Sequence, residues 1–152
     1  MTKKIFQTSN SFALAIIRIM LGLALFPHGA QKLLGWFGGY GFTGTMGFLT
    51  GSVHLPWIFA FLVIMIEFFG ALLLILGIGT RIVSIGVIVL FAGIIFTSHG
   101  QNGFFMNWDG TKPGEGFEYH LLVIGMALAL LIGGAGKWSV DQLFQKKLSY
   151  SL

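Results

Sequence analysis

The sequence predicts an all-α integral membrane protein, a four-helix bundle with antiparallel neighbours in a single domain over residues 1–152. Three observations predict it. Four segments are apolar for about the 20 residues that a bilayer crossing needs. Only 9% of residues are charged, against about 25% in soluble domains. The chain is 55% hydrophobic with a mean hydropathy of +0.86, more apolar surface than a water-soluble fold of 152 residues can bury. Lipid removes that burden, because it is the solvent of the outward faces.

The first span is expected over about 12–34. Lys3 and Lys4 before it resemble the charged start of a secretory signal. The apolar run continues past the usual signal core without a small-x-small cleavage site, so a retained helix is expected. The second span is expected over about 56–77, with Pro56 suited to a helix start. The third covers about 81–98 and follows a short Gly77-Ile78-Gly79-Thr80-Arg81 turn, which makes it the antiparallel neighbour of the second. The fourth covers about 117–134. Thr45 to Leu49 is long enough only for a short interfacial helix.

Basic residues orient these spans. Lys3, Lys4, Arg81, Lys137, Lys146 and Lys147 fall on one side, Lys32 and Lys112 on the other. By the positive-inside rule both termini are expected in the cytoplasm, and the loops at about 35–55 and 99–116 outside the plasma (inner) membrane of a prokaryote. Trp36, Trp57 and Trp108 suit the outer aromatic belt and Trp138 the inner one. The net charge of +4 is spread beside apolar segments, which fits membrane anchoring and not nucleic-acid binding. The absence of cysteine excludes disulfides, thiol redox chemistry, iron–sulfur clusters and thiolate zinc sites.

Small residues recur every seven positions: Ala15, Gly22 and Gly29 in the first span, Gly70 and Gly77 in the second, and Gly79, Gly86, Gly93 and Gly100 in the third. That period keeps them on one seam of a helix pair. The seam serves either internal packing or association of copies. His28-Gly29-Ala30-Gln31 and His99-Gly100-Gln101 close the first and third spans, which hints at a duplicated helix pair.

Ionisable groups within spans are costly and call for partners. Arg18 and Glu67 are the two such groups at depth. Counted from the inner ends of their spans they lie at ~9 and ~15 Å, a gap an arginine can bridge, so an Arg18–Glu67 ion pair is expected. The alternative has Arg18 snorkelling to headgroups. Toward the outer face, His28, Gln31, Lys32, His99, Glu118 and His120 gather at similar depth, with Trp108 in the second loop. Glu118 and His120 are about 200° apart on their helix and cannot share one narrow pocket. Such a cluster suits hydrated helix ends, a quinone headgroup site, or, less favoured, a metal or haem site. No motif for a resident metal is present.

These residues carry a resemblance. Arg18-Ile19-Met20-Leu21-Gly22, His28-Gly29-Ala30-Gln31-Lys32-Leu33, Glu67-Phe68-Phe69-Gly70, the Gly77–Arg81 turn, Gly116-Phe117-Glu118-Tyr119-His120 and Gly136-Lys137-Trp138-Ser139 stand in the order found in the DoxX family. The chain resembles that family of small four-helix membrane proteins over nearly its whole length. The resemblance implies a link to membrane redox chemistry, since the family includes the small membrane subunit of a thiosulfate:quinone oxidoreductase. It points to Arg18, Lys32, Glu67, Arg81 and His99 as the family's positions. The function it implies is a subunit of a quinone-linked oxidoreductase system, with Glu118 or His120 exchanging protons and Arg18 and Glu67 polarising a deeper pocket. Electrons would come from a protein partner or from a substrate at the outer loops, since the chain encodes no evident redox cofactor. The alternatives are a scaffold or assembly subunit, a homo-oligomer, and a small lipophile carrier.

Overall fold

The computed structural model describes residues 6–150, all helix and loop with no strand among them. Lys3 and Lys4, used to orient the chain, lie outside the described residues.

Helix α1 spans Phe12–Leu34. The Ser11 hydroxyl caps it by accepting the Leu14 N–H, and Gly35 ends it in the left-handed region at φ 74°. A short helix α2, Gly41–Gly51, follows and buries Thr45 and Met46. It is longer than the short helix expected at Thr45–Leu49, and Phe42, before that stretch, also packs on the cluster of Met46, Ala60 and Ile64. Helix α3 spans Trp57–Leu76 after Pro56, and α4 spans Thr80–Asn102. Both are interrupted by a wide π turn, at Ile66–Gly70 in α3 and Ile95–His99 in α4. Helix α5 spans Glu118–Gly133. A final amphipathic helix α6, Val140–Tyr150, was not expected; its polar sequence carries no span signal.

Helices α1, α3 and α4 are long and apolar enough to cross a membrane, at 23, 20 and 23 residues. Helix α5 is apolar but has 16 residues, or about 24 Å of rise against a hydrocarbon core of about 30 Å. Neighbours are antiparallel. Arg18 near the start of α1 reaches the end of α3, and Gly29 near its finish meets Glu67 and Phe68. Likewise Arg81 at the start of α4 reaches Leu131 of α5, while His99 at its far end meets His120. The core joins all four helices through Leu21, Leu25, Leu74, Val87, Val123 and Leu130. Ile16, Met20, Val89, Phe96 and Ile132 are exposed on the outside, as lipid-facing side chains are.

The glycine seam of α1 serves internal packing. A Cβ on Gly29 would sit 2.5 Å from the Glu67 and Phe68 backbone, and one on Gly22 would sit 2.8 Å from the Ala71 carbonyl oxygen. The α4 seam is different, since a Cβ on Gly93 or Gly79 meets nothing within 4 Å. Gly29→Ala is therefore expected to cost about 1–3 kcal/mol by forcing α1 off α3. Gly93→Ala should stay within about 0.5 kcal/mol of the unaltered protein. Thermal unfolding of the two variants in one detergent checks the contrast, and equal melting temperatures would contradict it.

Candidate functional site

The Arg18–Glu67 pair expected from the sequence does not form. Glu67 is level with Gly29, eleven residues beyond Arg18, so about 16 Å of helix separates the two. Counting depth from the ends of the apolar segments failed because it ignored the offset between α1 and α3.

Arg18 is fully buried and turns toward the opposite end of the bundle. Its Nε donates to the Ala135 carbonyl at 3.0 Å, Nη1 to Leu74 and Ile75 at 2.8 and 2.6 Å, and Nη2 to Lys137 and Trp138 at 3.3 and 3.2 Å. The last carbonyls of a helix lack partners within it, and a planar guanidinium can serve several at once. The snorkelling alternative fails too, since these acceptors are protein and not headgroups. Asp141 completes the knot: its carboxylate accepts the Gly79 and Thr80 N–H groups at 2.7 and 2.9 Å, capping α4. Arg81 does for α5 what Arg18 does for α3, donating to the Leu131 and Ile132 carbonyls at 2.5 and 2.9 Å. This end of the bundle is structural.

At the other end the predicted polar residues converge on a cavity of about 430 Å³ lined by His28, Lys32, Glu67, His99 and His120, among others. Lys32 Nζ contacts Glu67 Oε2 at 2.5 Å. The Glu67 side chain is 4% exposed and that of Lys32 27%, so the pair runs from the protein interior outward. It forms because Gly29 lets α1 lie on the backbone at Glu67, one turn before Lys32. The His99 and His120 rings lie 4.4 Å apart. His99 Nδ1 contacts the Glu115 carbonyl oxygen at 2.8 Å, whereas His120 Nδ1 is buried with no hydrogen-bond partner. Apolar side chains, Val63, Phe91 and Ile94 among them, form much of the remaining wall.

Glu67 and His99 both sit in π turns, Glu67 in that of α3 and His99 in that of α4. An extra residue per turn re-aims a side chain without ending the helix, and such turns gather at functional sites.

Other predicted site residues stand apart. Gln31 donates from Nε2 to the Phe37 carbonyl at 3.3 Å and lines a neighbouring pocket with Gly38 and Tyr40. Trp108 is 86% exposed. Glu118 accepts the Met106 N–H and holds the 103–117 loop, while His120 faces the cavity, so the helical angle between them has the consequence expected of it. Tyr119, Phe91, Ser98 and Glu115 also line the cavity and were missed. His120, Val123, Ala127 and Leu130 share a face at helical spacing, which marks the inward side of α5. That pattern could have placed Tyr119, whose ring lies 6.5 Å from that of His28. Among the described residues no three His, Asp or Glu side chains are placed to share a metal ion.

Long apolar helices around a cavity that holds an ion pair and histidines at one end define a small helical bundle of the integral membrane class. The chain belongs to the DoxX family, whose profile matches residues 13–100. That match includes His28, Lys32, Glu67 and His99 but stops before α5. The chain is also 31% identical over 115 residues, 76% of its length and 75% of the relative's, to a Bacillus subtilis (strain 168) protein named "Putative oxidoreductase CatD". No solved structure matches the chain.

Proposed function

We propose that this protein is the quinone-binding membrane subunit of a redox system and that the cavity takes the quinone headgroup. One observation carries the reading: an ion pair and three histidines face a largely apolar cavity that opens among the membrane helices. Its volume of about 430 Å³ falls within the ~300–1,000 Å³ of small-molecule sites. The two carbonyl oxygens of a quinone need donors, and the Lys32 ammonium and an imidazole N–H provide them. His120 lines the cavity, where its ring can meet a ligand oxygen. Reduction to the quinol takes two electrons and two protons. The protons have a route through the histidines at the loop side. The electrons come from a partner protein, in keeping with a relative named as an oxidoreductase.

The same reading has the chain crossing the plasma membrane of a prokaryote four times with both ends in the cytoplasm. Helix α5 runs beside α4 from His99 to Arg81, which supports a fourth crossing despite its 16 residues. Arg81 and Lys137 lie at the Arg18 end, which supports that end facing the cytoplasm. The cavity then belongs to the outer half.

Titration of the purified protein with a soluble benzoquinone tests the reading. A ligand at about 100 times its Kd adds about 2.7 kcal/mol of stability, a rise in melting temperature of several degrees that grows with the logarithm of ligand concentration. No such rise would remove the quinone assignment. A Soret band in protein from a haem-replete host would assign haem in its place.

A further inference from the structure

A second hollow of about 390 Å³ lies between α3 and α4, and apart from Thr97 its lining is wholly apolar. It opens on the outer face of the bundle, where Phe59, Leu62 and Val89 are exposed. Leu55, Val63, Ile94 and Thr97 line both this groove and the Lys32–Glu67 cavity, so the two adjoin across these four side chains. Thr97 stands at the junction, yet its hydroxyl donates to the Gly93 carbonyl at 3.0 Å and is satisfied within its own helix. The floor is made by Gly86 and Gly93, and a Cβ on Gly93 would meet nothing within 4 Å. Gly93, whose Cβ position is empty, thus helps keep this groove open.

We infer that the groove is the lateral entry and tail site of the ligand: an amphiphile whose polar ring sits in the Lys32–Glu67 cavity and whose apolar chain lies between α3 and α4. This rests on the quinone reading and specifies its substrate as a long-tailed, lipid-dissolved quinone. The occupant is the ligand's own tail because the groove adjoins the head cavity, with only the side chains common to both between them. The loop side of that cavity is walled by Met106 and Glu115 and by Phe48, Leu49 and Val53 of the α2 region, so the position of the chain is decided by labelling. Entry from the bilayer also spares the ring a passage through water. A tail moving from lipid into the groove gains little hydrophobic energy, since both surroundings are apolar. Its effect is therefore steric and best seen by filling the groove.

The experiment measures affinity in nanodiscs of fixed lipid composition for 2,3-dimethoxy-5-methyl-1,4-benzoquinone and for its 6-decyl derivative. Gly93→Phe fills the groove without displacing a neighbour of the Gly93 Cβ position. It is expected to weaken the decyl compound by about tenfold or more and to leave the tail-less ring within about twofold. A photoreactive group at the chain end should label α3 or α4 residues of the groove in the unaltered protein. If Gly93→Phe weakens both compounds alike or neither, or if the label falls on α1 or the loops, the groove is not the tail site. If the tail-less ring binds and the decyl compound does not, the tail inference falls while the cavity reading stands. If neither binds the unaltered protein, the cavity reading falls and takes this one with it.

Discussion

Arg18→Met is expected to be the most destabilising single substitution in the chain. It strips hydrogen-bond donors from five carbonyls: Leu74 and Ile75 at the end of α3, and Ala135, Lys137 and Trp138 in the turn before α6. The Leu74 carbonyl keeps the Gly77 N–H at 3.1 Å, so the loss falls on the other four; at about 1–3 kcal/mol for a buried polar group without a partner, even partial relaxation leaves a loss of about 3–5 kcal/mol. At about 2–4 °C per kcal/mol the melting temperature should fall by roughly 10 °C or more. Arg18→Lys should recover only part of this, because one ammonium cannot span acceptors that a planar fork reaches from three nitrogens. Since about 16 Å of helix separates Arg18 from the level of Glu67, the variant that still folds should bind a benzoquinone with unchanged affinity. A melting temperature within 2–3 °C of the unaltered protein would deny the knot its role. Weakened ring binding with normal stability would instead restore Arg18 to the site.

The contrast between Arg18 and Lys32 shows which parts of this protein the sequence exposes. Apolar length and the spacing of Gly, Lys and Arg made the membrane helices legible, because in lipid the pattern of each segment follows from its own solvent. The composition of the cavity was legible too: His28, Lys32, Glu67, His99 and His120 stand out as polar groups in apolar surroundings. Their pairing was not. It depends on how far α1 is displaced along α3, and that offset is set by Gly29 seating on the Glu67–Phe68 backbone and Gly22 on Ala71. Both glycines were visible as a seam, but a seam states which face packs and not at what height. The π turns were also hidden, since Glu67 in Ile66–Gly70 and Thr97, Ser98 and His99 in Ile95–His99 mark polar positions but not an extra residue in the turn. Helix α6 escaped because it is short and polar, and its start is fixed by a tertiary bond, the Asp141 N–H to the Gly77 carbonyl.

Both π turns end near a glycine or small residue, Gly70 in α3 and Gly100 in α4. With Gly29 they explain how three long helices bring long polar side chains together without a gap in the core below. The last core layer beneath the cavity is formed by Leu25, Leu90 and Phe91, and it separates the ion pair from the Arg18 knot. The Arg18 knot and the Lys32–Glu67 pair thus lie apart with a core layer between them, so substitutions in the two regions should act independently.

Substitutions at Lys32 and Glu67 exploit that separation. Lys32→Met leaves the Glu67 carboxylate, 4% exposed, with no cation beside it. Removing one partner of a buried ion pair costs about 3–5 kcal/mol, because the other charge stays desolvated. Glu67→Gln should cost less, since the Lys32 side chain is 27% exposed and can turn its ammonium to water. The double variant Lys32→Met/Glu67→Gln should return to near the stability of the unaltered protein, as buried pairs replaced together by neutral groups commonly do. Its ligand affinity should not return. A hydrogen bond to a charged group is worth about 1.5–3 kcal/mol, so loss of the ammonium donor should weaken a benzoquinone by about 10–100-fold. Denaturant titration and ring binding on the four proteins of this cycle separate the two effects. A double variant that is stable and binds like the unaltered protein would show that the pair only holds α1 to α3. One that is stable and binds weakly would place the Lys32 ammonium against the ligand.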